Sequence, residues 1–170
     1  TEQLAPESQG WQIDLAGNYL YGAPAAGNKL LGVVNTERNK NPLEKKLPGF
    51  IFGDADEDTV RSRNELEESA LDAEGKASVS VDLSPVQKRR SPFTVRATFS
   101  LLESGGRPVV RSIERTYWPA PLLVGLRPMF VGAYAREGSN AEFEVAVADH
   151  AANLKAGTAL PVRIFRENRN

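Results

Sequence analysis

The most suggestive chemical pattern in the sequence is an acidic run. Asp54, Asp56 and Asp58 stand at the first, third and fifth positions of a calcium-binding loop, and Glu65 falls at the twelfth. Carboxylate oxygens at these spacings converge on hard cations. However, Thr59 stands at the sixth position, where the sharp turn requires glycine, and the residues before the run are typical of a strand. We therefore predict an exposed acidic loop without a metal site, although calcium remains an open alternative.

The single histidine is the second place where chemistry could be sought. His150 follows Asp149, and Ser139 is nearby, so the residue types of a nucleophilic triad occur close together. The Asp-His pair stands where a strand is predicted to end and a turn to begin, which favours a solvent-exposed turn histidine. No carboxylate is identifiable in an apolar pocket, so no general acid or base is nominated. We predict no catalytic, cofactor-binding or metal-binding residue and no enzymatic activity.

A basic triplet, Lys88-Arg89-Arg90, precedes Ser91-Pro92 and could contact phosphate or an acidic lipid surface. Three residues are few, and an exposed loop tip open to proteolysis is the preferred interpretation. The whole chain has 21 basic and 22 acidic residues, a formal net charge of -1. Because a protein that neutralises many phosphates needs a positive excess, we expect no nucleic-acid partner.

Composition excludes several classes of site. The chain has no cysteine, which rules out disulfides, thiol nucleophiles and thioesters within it. With 41% hydrophobic and 25% charged residues, the 170-residue chain is typical of one globular domain or two small ones. It contains no run of 18 apolar residues, so we expect no direct membrane insertion by this segment. It lacks an initial Met, and we expect it to be a piece of something longer.

The elements that must position these residues are mostly strands. Apolar and polar residues alternate with period two over 77–83, 93–101, 11–15 and 143–147, as in strands with one buried face. Gly105-Gly106 joins the strand at 93–101 to another at 109–117 in a predicted hairpin. Further predicted strands are 29–36, 49–53, 122–126 and 160–165. The stretch 63–71 is the only candidate helix, at most one or two turns within a loop.

This pattern predicts an all-β fold of antiparallel sandwiches. Pro119 and Pro121 mark a boundary, because proline cannot donate a ladder hydrogen bond. A faint repeat relates 26–30 to 156–160, an offset of 130 positions. We predict a linker or preceding strand at 1–10, a sandwich domain at 11–119, and the first strands of a second, incomplete sandwich at 120–170, which the full protein must complete.

Four aromatic residues cluster around turns and the predicted boundary. Tyr19, Tyr21, Tyr117 and Trp118 could line a binding surface. Aromatic side chains bury large apolar areas, so we predict instead that they cover the core and the domain junction.

The segment 18–27, Asn-Tyr-Leu-Tyr-Gly-Ala-Pro-Ala-Ala-Gly, resembles the bacterial alpha-2-macroglobulin family. The stretches 47–54 and 71–77 support that resemblance, and 125–130 with 137–139 and 162–168 resembles the start of the next macroglobulin-like domain. The resemblance leaves only residues 1–10 unplaced. An enterobacterial member is the expected relative.

This resemblance implies fibronectin-III-like or immunoglobulin-like sandwiches strung into a large periplasmic protein, often lipid-anchored to the inner membrane. Such proteins are broad-spectrum proteinase inhibitors that trap target proteinases after cleavage of a bait segment, and a penicillin-binding protein is an associated partner. The implied Cys-Gln thioester must lie outside this chain, and the bait beyond Asn170, so that the chain is scaffold. The alternatives are a generic adhesive or ligand-binding module of a cell-envelope protein and a calcium-stabilised accessory domain of an enzyme.

Overall fold

A computed structural model describes residues 3–5, 8–103, 106–132, 134–157 and 159–164. Its strands, in chain order, are β1 (Gln3–Leu4), β2 (Gly10–Ala16), β3 (Lys29–Arg38), β4 (Ile51–Phe52), β5 (Arg61–Glu65), β6 (Ser69–Ala70), β7 (Lys76–Asp82), β8 (Phe93–Leu102), β9 (Val109–Tyr117), β10 (Leu123–Pro128) and β11 (Phe143–Ala148). A 3-10 turn (Ala55–Glu57) and the helix α1 (Ser84–Gln87) complete the elements. Within these ranges, no helix has the length and apolar character needed to cross a membrane.

Six strands form the largest sheet. Its order is β1-β9-β8-β3-β5, and β6 also pairs with β3. The pair β1–β9 is parallel, and the other pairs of this sheet are antiparallel. The predicted hairpin is β8–β9, in which Phe93 lies opposite Tyr117. Gly105 lies outside the described residues, whereas the backbone N–H of Gly106 donates to the carbonyl of Glu103 at 3.2 Å.

A two-stranded sheet of β2 and β7 covers one face of the six-stranded sheet. Trp11 and Ile13 of β2 pack with Val95, Ala97 and Phe99 of β8, and all five side chains are buried. Period-two alternation places these residues on one side of each strand, where burial of apolar surface drives the two sheets together. The predicted all-β sandwich is confirmed, and we call these two sheets the sandwich.

Two of the predicted elements are wrong. Residues 63–71 are not helical, since β5 and β6 both pair with the edge of β3. The edge of β3 offers unpaired backbone groups, and bonding to them outweighs a marginal local helix. Residues 160–164 of the predicted strand 160–165 form no strand, while residue 165 lies outside the described range. A strand needs a neighbouring strand for its hydrogen bonds, and no described strand pairs there.

The faint sequence repeat at an offset of 130 positions corresponds to two turns with the same backbone hydrogen bonds. The amide of Tyr19 donates to Ala23, and 130 positions later the amide of Asp149 donates to Asn153. The isolated bridges Asn18↔Pro24 and Ala148↔Leu154 have the same offset. The left-handed φ of Gly22 (93°) recurs at Ala152 (66°). We call residues 19–23 the first corner and residues 149–153 the second corner.

Candidate functional site

The structural feature that links the two halves of the chain is the pairing of β4 with β10, a strand outside the sandwich. β10 and β11 form a small three-stranded sheet whose third strand is β4, although β4 lies between strands of the sandwich in sequence. Gly125 pairs with Phe52, and Leu126 pairs with Ile51. The contacts between the sandwich and this small sheet are called the joint. Its buried core consists of Leu43, Phe50, Phe52, Trp118, Ala146 and Ala148.

The centre of the joint depends on a glycine. The side chain of Phe52 is fully buried and lies over β10 at Gly125. A Cβ at position 125 would stand only 2.7 Å from the Phe52 ring, so another residue there would displace the ring. Trp118 also packs against Phe52, with ring centroids 5.7 Å apart and planes tilted by 53°. The missing side chain at Gly125 therefore makes room for the strand from the sandwich.

Arg127 of β10 adds polar contacts around the pairing of β4 with β10. Its guanidinium carbon lies 4.9 Å from the centroid of the Phe50 ring, within cation–π range. The guanidinium also donates to the carbonyl of Pro48 at 3.2 Å and forms an ion pair with Glu144 of β11. One side chain thus connects the 47–50 segment before β4 with both long strands of the small sheet.

Arg38 connects the end of β3 to β4. Its side chain is almost fully buried, donates to the carbonyl of Phe52 at 3.0 Å and pairs with Asp58. Burial lowers the pKa of this guanidinium, while the negative charges of Glu57 and Asp54 oppose that shift. A buried guanidinium that lost its carboxylate partner would be an unpaired charge, so Asp58 has a structural role here.

Carboxylates of the acidic run form hydrogen bonds and ion pairs with other groups of the protein. Asp54 caps the 3-10 turn through a 3.0 Å hydrogen bond from the amide of Asp56. Glu57 accepts from the backbone amides of Arg90 and Ser91, the latter at 2.9 Å. Among the described residues, no group of three or more His, Asp or Glu side chains is placed to hold a metal ion. The run therefore secures the β4 region to the segment before β8.

That anchoring also changes the interpretation of the basic triplet. The side chain of Arg90 is exposed, in keeping with the predicted loop tip, and it pairs with Asp54 at 3.3 Å. Its main chain, however, is bound to Glu57, and the guanidinium of Arg89 donates to the carbonyl of Pro85. Ser91 is fully buried, and its hydroxyl accepts from the amide of Asp54 at 2.8 Å. The segment is tied down at three successive residues.

The second corner docks against the sandwich. Gln3 donates to the carbonyl of His150 at 2.9 Å, and the ammonium of Lys46 donates to the carbonyl of Ala151 at 2.8 Å. Ala152 packs against the buried core of the joint. Side chains from β1 and the 43–47 turn thus bind two backbone carbonyls of this corner, and the side chain of Ala152 packs on the joint core.

The residue types of a triad are not assembled into one. The carboxylate of Asp149 accepts from the side chain and amide of Asn153 and from the amide of Ala151, and these bonds lower its pKa, with His150 contributing a smaller charge effect and burial opposing. The hydroxyl of Ser139 donates to the carbonyl of Arg136 at 2.6 Å. His150 is exposed, which agrees with the predicted turn histidine.

The four aromatic residues divide between buried and exposed positions. Tyr117 and Trp118 are buried in the sandwich core and the joint core, as predicted. Tyr21 is 79% exposed, so the prediction that it covers the core is wrong. Its ring stacks on Tyr19 instead, with centroids 5.3 Å apart. The pairing of β4 with β10 was not foreseen, although a glycine inside the apolar strand 122–126 signals close approach of another element.

With this geometry established, comparison with known proteins identifies the architecture. The family model for the bacterial alpha-2-macroglobulin MG5 domain matches residues 1–119. The chain belongs to the bacterial alpha-2-macroglobulin family. It is 38% identical to the alpha-2-macroglobulin of Escherichia coli over 94% of its own length and 10% of that protein. It is 37% identical to the alpha-2-macroglobulin of Xylella fastidiosa strain Temecula1, over 89% of its own length and 9% of that protein.

Solved structures of the family have the same fold. The native conformation of the E. coli protein superposes with a TM-score of 0.77 at 36% identity, over 91% of this chain and 10% of that one. The E. coli protein activated by porcine elastase gives a TM-score of 0.75 at 38% identity, over 89% of this chain and 13% of that one. The expected enterobacterial relationship is thereby confirmed. The chain spans about a tenth of the length of these relatives.

Proposed function

We propose that this chain is a non-catalytic scaffold segment of a periplasmic, alpha-2-macroglobulin-like, broad-spectrum proteinase inhibitor. The whole protein traps a proteinase after the proteinase cleaves a bait segment, and this chain holds neighbouring domains in a fixed relation. The proposal rests on the pairing of β4 with β10 at the joint, by which β4 becomes the third strand of the small sheet. The E. coli relative has been solved in a trypsin-activated and an elastase-activated form, which supports proteinases as targets.

The joint explains why this segment suits a mechanical role. Bending β10 and β11 away from the sandwich would break the backbone ladder between β4 and β10, because β4 lies between the sandwich strands β3 and β5 in the chain. It would also expose Phe52 and Trp118, which are among the largest fully buried side chains of the described residues. Each large apolar side chain contributes about 1.5–3 kcal/mol through burial. The sandwich and the small sheet should therefore move as one body when a cleaved bait releases the rest of the molecule.

The proposal includes a second macroglobulin-like domain that begins near residue 120. The outer face of the small sheet is apolar and 41–53% exposed, and we call it the open face: Ile51, Val124, Leu126, Phe143 and Val145. At the 130-residue offset, Phe143 and Val145 correspond to Ile13 and Leu15, which face the core of the sandwich. Strands of the parent protein, beginning with the segment after residue 158, would cover the open face in the same way.

The location and partners of the parent follow from the same proposal. The protein would lie in the periplasm with a lipid anchor in the inner membrane, and a penicillin-binding protein is its proposed partner in the cell envelope. The chain itself would supply neither bait nor thioester. Fractionation of cells into periplasmic, membrane and cytoplasmic material would test this placement, and recovery of the parent in the cytoplasm would contradict it.

The inhibitory function is tested with the parent protein and trypsin. After mixing, we expect cleavage of casein to be suppressed while cleavage of a small chromogenic peptide continues, because a trapped proteinase excludes only large substrates. Unchanged casein cleavage would refute the proposed trap.

The scaffold role needs a variant in this segment. Gly125→Ala places a Cβ 2.7 Å from the Phe52 ring and should reduce the trapped fraction of trypsin without slowing bait cleavage. Gly10→Ala is the matched control, since its Cβ would meet only the hydroxyl of Ser80 at 3.3 Å and the carbonyl of Val81 at 3.5 Å. If Gly125→Ala traps trypsin as well as Gly10→Ala does, the joint has no mechanical role.

A further inference from the structure

The two corners have the same backbone but opposite surroundings. In each corner, the first amide donates to the fifth carbonyl, and the fourth amide donates to the first carbonyl. The second corner is docked on the sandwich, whereas the first corner projects Leu20 and Tyr21 into solvent at 109% and 79% exposure. Leu20 and Tyr21 correspond to His150 and Ala151 at the 130-residue offset. The more apolar of the two corners is therefore the one left uncovered.

The carbonyl groups show the same contrast. The carbonyls of His150 and Ala151 accept hydrogen bonds from Gln3 of β1 and Lys46 of the 43–47 turn. Within the described part of the chain, no donor bonds the carbonyls of Leu20 or Tyr21. The rings of Tyr19 and Tyr21 are stacked, and the hydroxyl of Tyr19 accepts from the side chain of Asn28 at 3.1 Å. The first corner is therefore an ordered, apolar protrusion in which the carbonyls of Leu20 and Tyr21 accept no hydrogen bond from the described residues.

We infer that the first corner docks on another macroglobulin-like domain of the parent protein, in the way that the second corner docks on the sandwich. The inference rests on the proposed multidomain parent. The receiving domain presents a basic or amide side chain to each of the two carbonyls, as Lys46 and Gln3 do here, and an apolar surface to Leu20 and Tyr21. It is a different surface from the one already occupied by the second corner. The first corner thereby adds a second rigid contact between neighbouring domains, besides the joint.

Hydroxyl-radical footprinting of this chain and of the intact parent tests the docking. In the isolated chain, Tyr21 should be oxidised as fast as Tyr134, which is 80% exposed. In the parent, the oxidation rate of Tyr21 should fall by about fivefold or more, as for a residue in an interface core. Equal rates for Tyr21 in the chain and the parent would overturn the inference.

A substitution shows whether the corner itself makes the contact. Leu20→Asp should leave the melting temperature of the isolated chain unchanged, because Leu20 contacts solvent there, and should restore rapid oxidation of Tyr21 in the parent. Val131→Asp, at an equally exposed apolar residue, is the control and should leave the protection of Tyr21 intact. Protection that survives Leu20→Asp would also overturn the inference. A parent that traps trypsin while Tyr21 stays exposed would refute the docking alone.

Discussion

The inner face of the six-stranded sheet and the open face of the small sheet have the same sequence pattern and opposite environments. Phe99 of β8 is 4% exposed beneath β2 and β7, whereas Phe143 of β11 is 53% exposed. Both stand in strands that alternate apolar and polar residues with period two. The comparison shows that apolar alternation identifies which face of a strand will be buried. It does not identify the element that covers this face, because that element comes from a distant part of the sequence.

The sharpest way to break this comparison is to truncate both phenylalanines in the isolated chain. Phe99→Ala should lower the free energy of unfolding by about 3–5 kcal/mol, because it opens a cavity in a closed core. Phe143→Ala should cost less than about 1 kcal/mol, since the ring is half in solvent and contacts Phe130 edge-on at 5.4 Å. Urea denaturation measures both values. Equal losses would show that the open face is already covered in the isolated chain.

A second test concerns the side of the small sheet that faces the joint. Gly125→Ala should destabilise the joint by about 1–3 kcal/mol, because the added methyl group overpacks the Phe52 ring. The effect should appear as faster amide exchange at Phe52 and Leu126, while the exchange of β8 amides stays unchanged. Gly10→Ala should alter neither. Uniform acceleration throughout the sandwich would mean that the joint and the sandwich core unfold as a single unit.

The smallest expected effect is the pH dependence of the second corner. Hydrogen bonds from Asn153 lower the pKa of Asp149 below its ordinary value of 3.8, so this group stabilises the folded corner above that value. The contribution is lost as the pH falls through the lowered pKa, when the carboxylate gains a proton.

NMR titration of the Asn153 amide should therefore show a midpoint below pH 3.8. The first corner has Tyr19 at the equivalent position and should show no such transition. Asp149→Asn is the control that removes the titrating group. A midpoint at or above the ordinary aspartate value would contradict the hydrogen-bonding account.

Much of the strand content could be predicted from the sequence, and the reason is local. Residues 93–101 alternate in a way that only an extended backbone can place on one face, and the glycines at 105 and 106 predicted the return strand 109–117. The resemblance of residues 18–27 to the macroglobulin family was likewise readable in a short segment. Of the candidate chemical residues, the exposed turn position of His150 was predicted correctly because turn residues and strand ends are local signals.

The errors fall where long-range pairing decides the structure. β5 has the sequence Arg-Ser-Arg-Asn-Glu, which has no apolar alternation, and it is a strand because its backbone bonds to the edge of β3. The acidic run looks like a cation site in sequence, but Arg38, Lys40 and Arg90 reach it from distant positions. These partners are invisible to spacing rules, which consider only neighbours along the chain.

By itself, the sequence determined the period-two strands, the turns and the absence of cysteine chemistry, because each depends on residue type and nearest neighbours. Tertiary structure alone decided that β4 leaves the sandwich to complete the small sheet, and that one corner is docked while its repeat is exposed. Backbone groups at a strand edge bond to whichever partner the rest of the fold brings near, and that partner is not encoded in the strand itself.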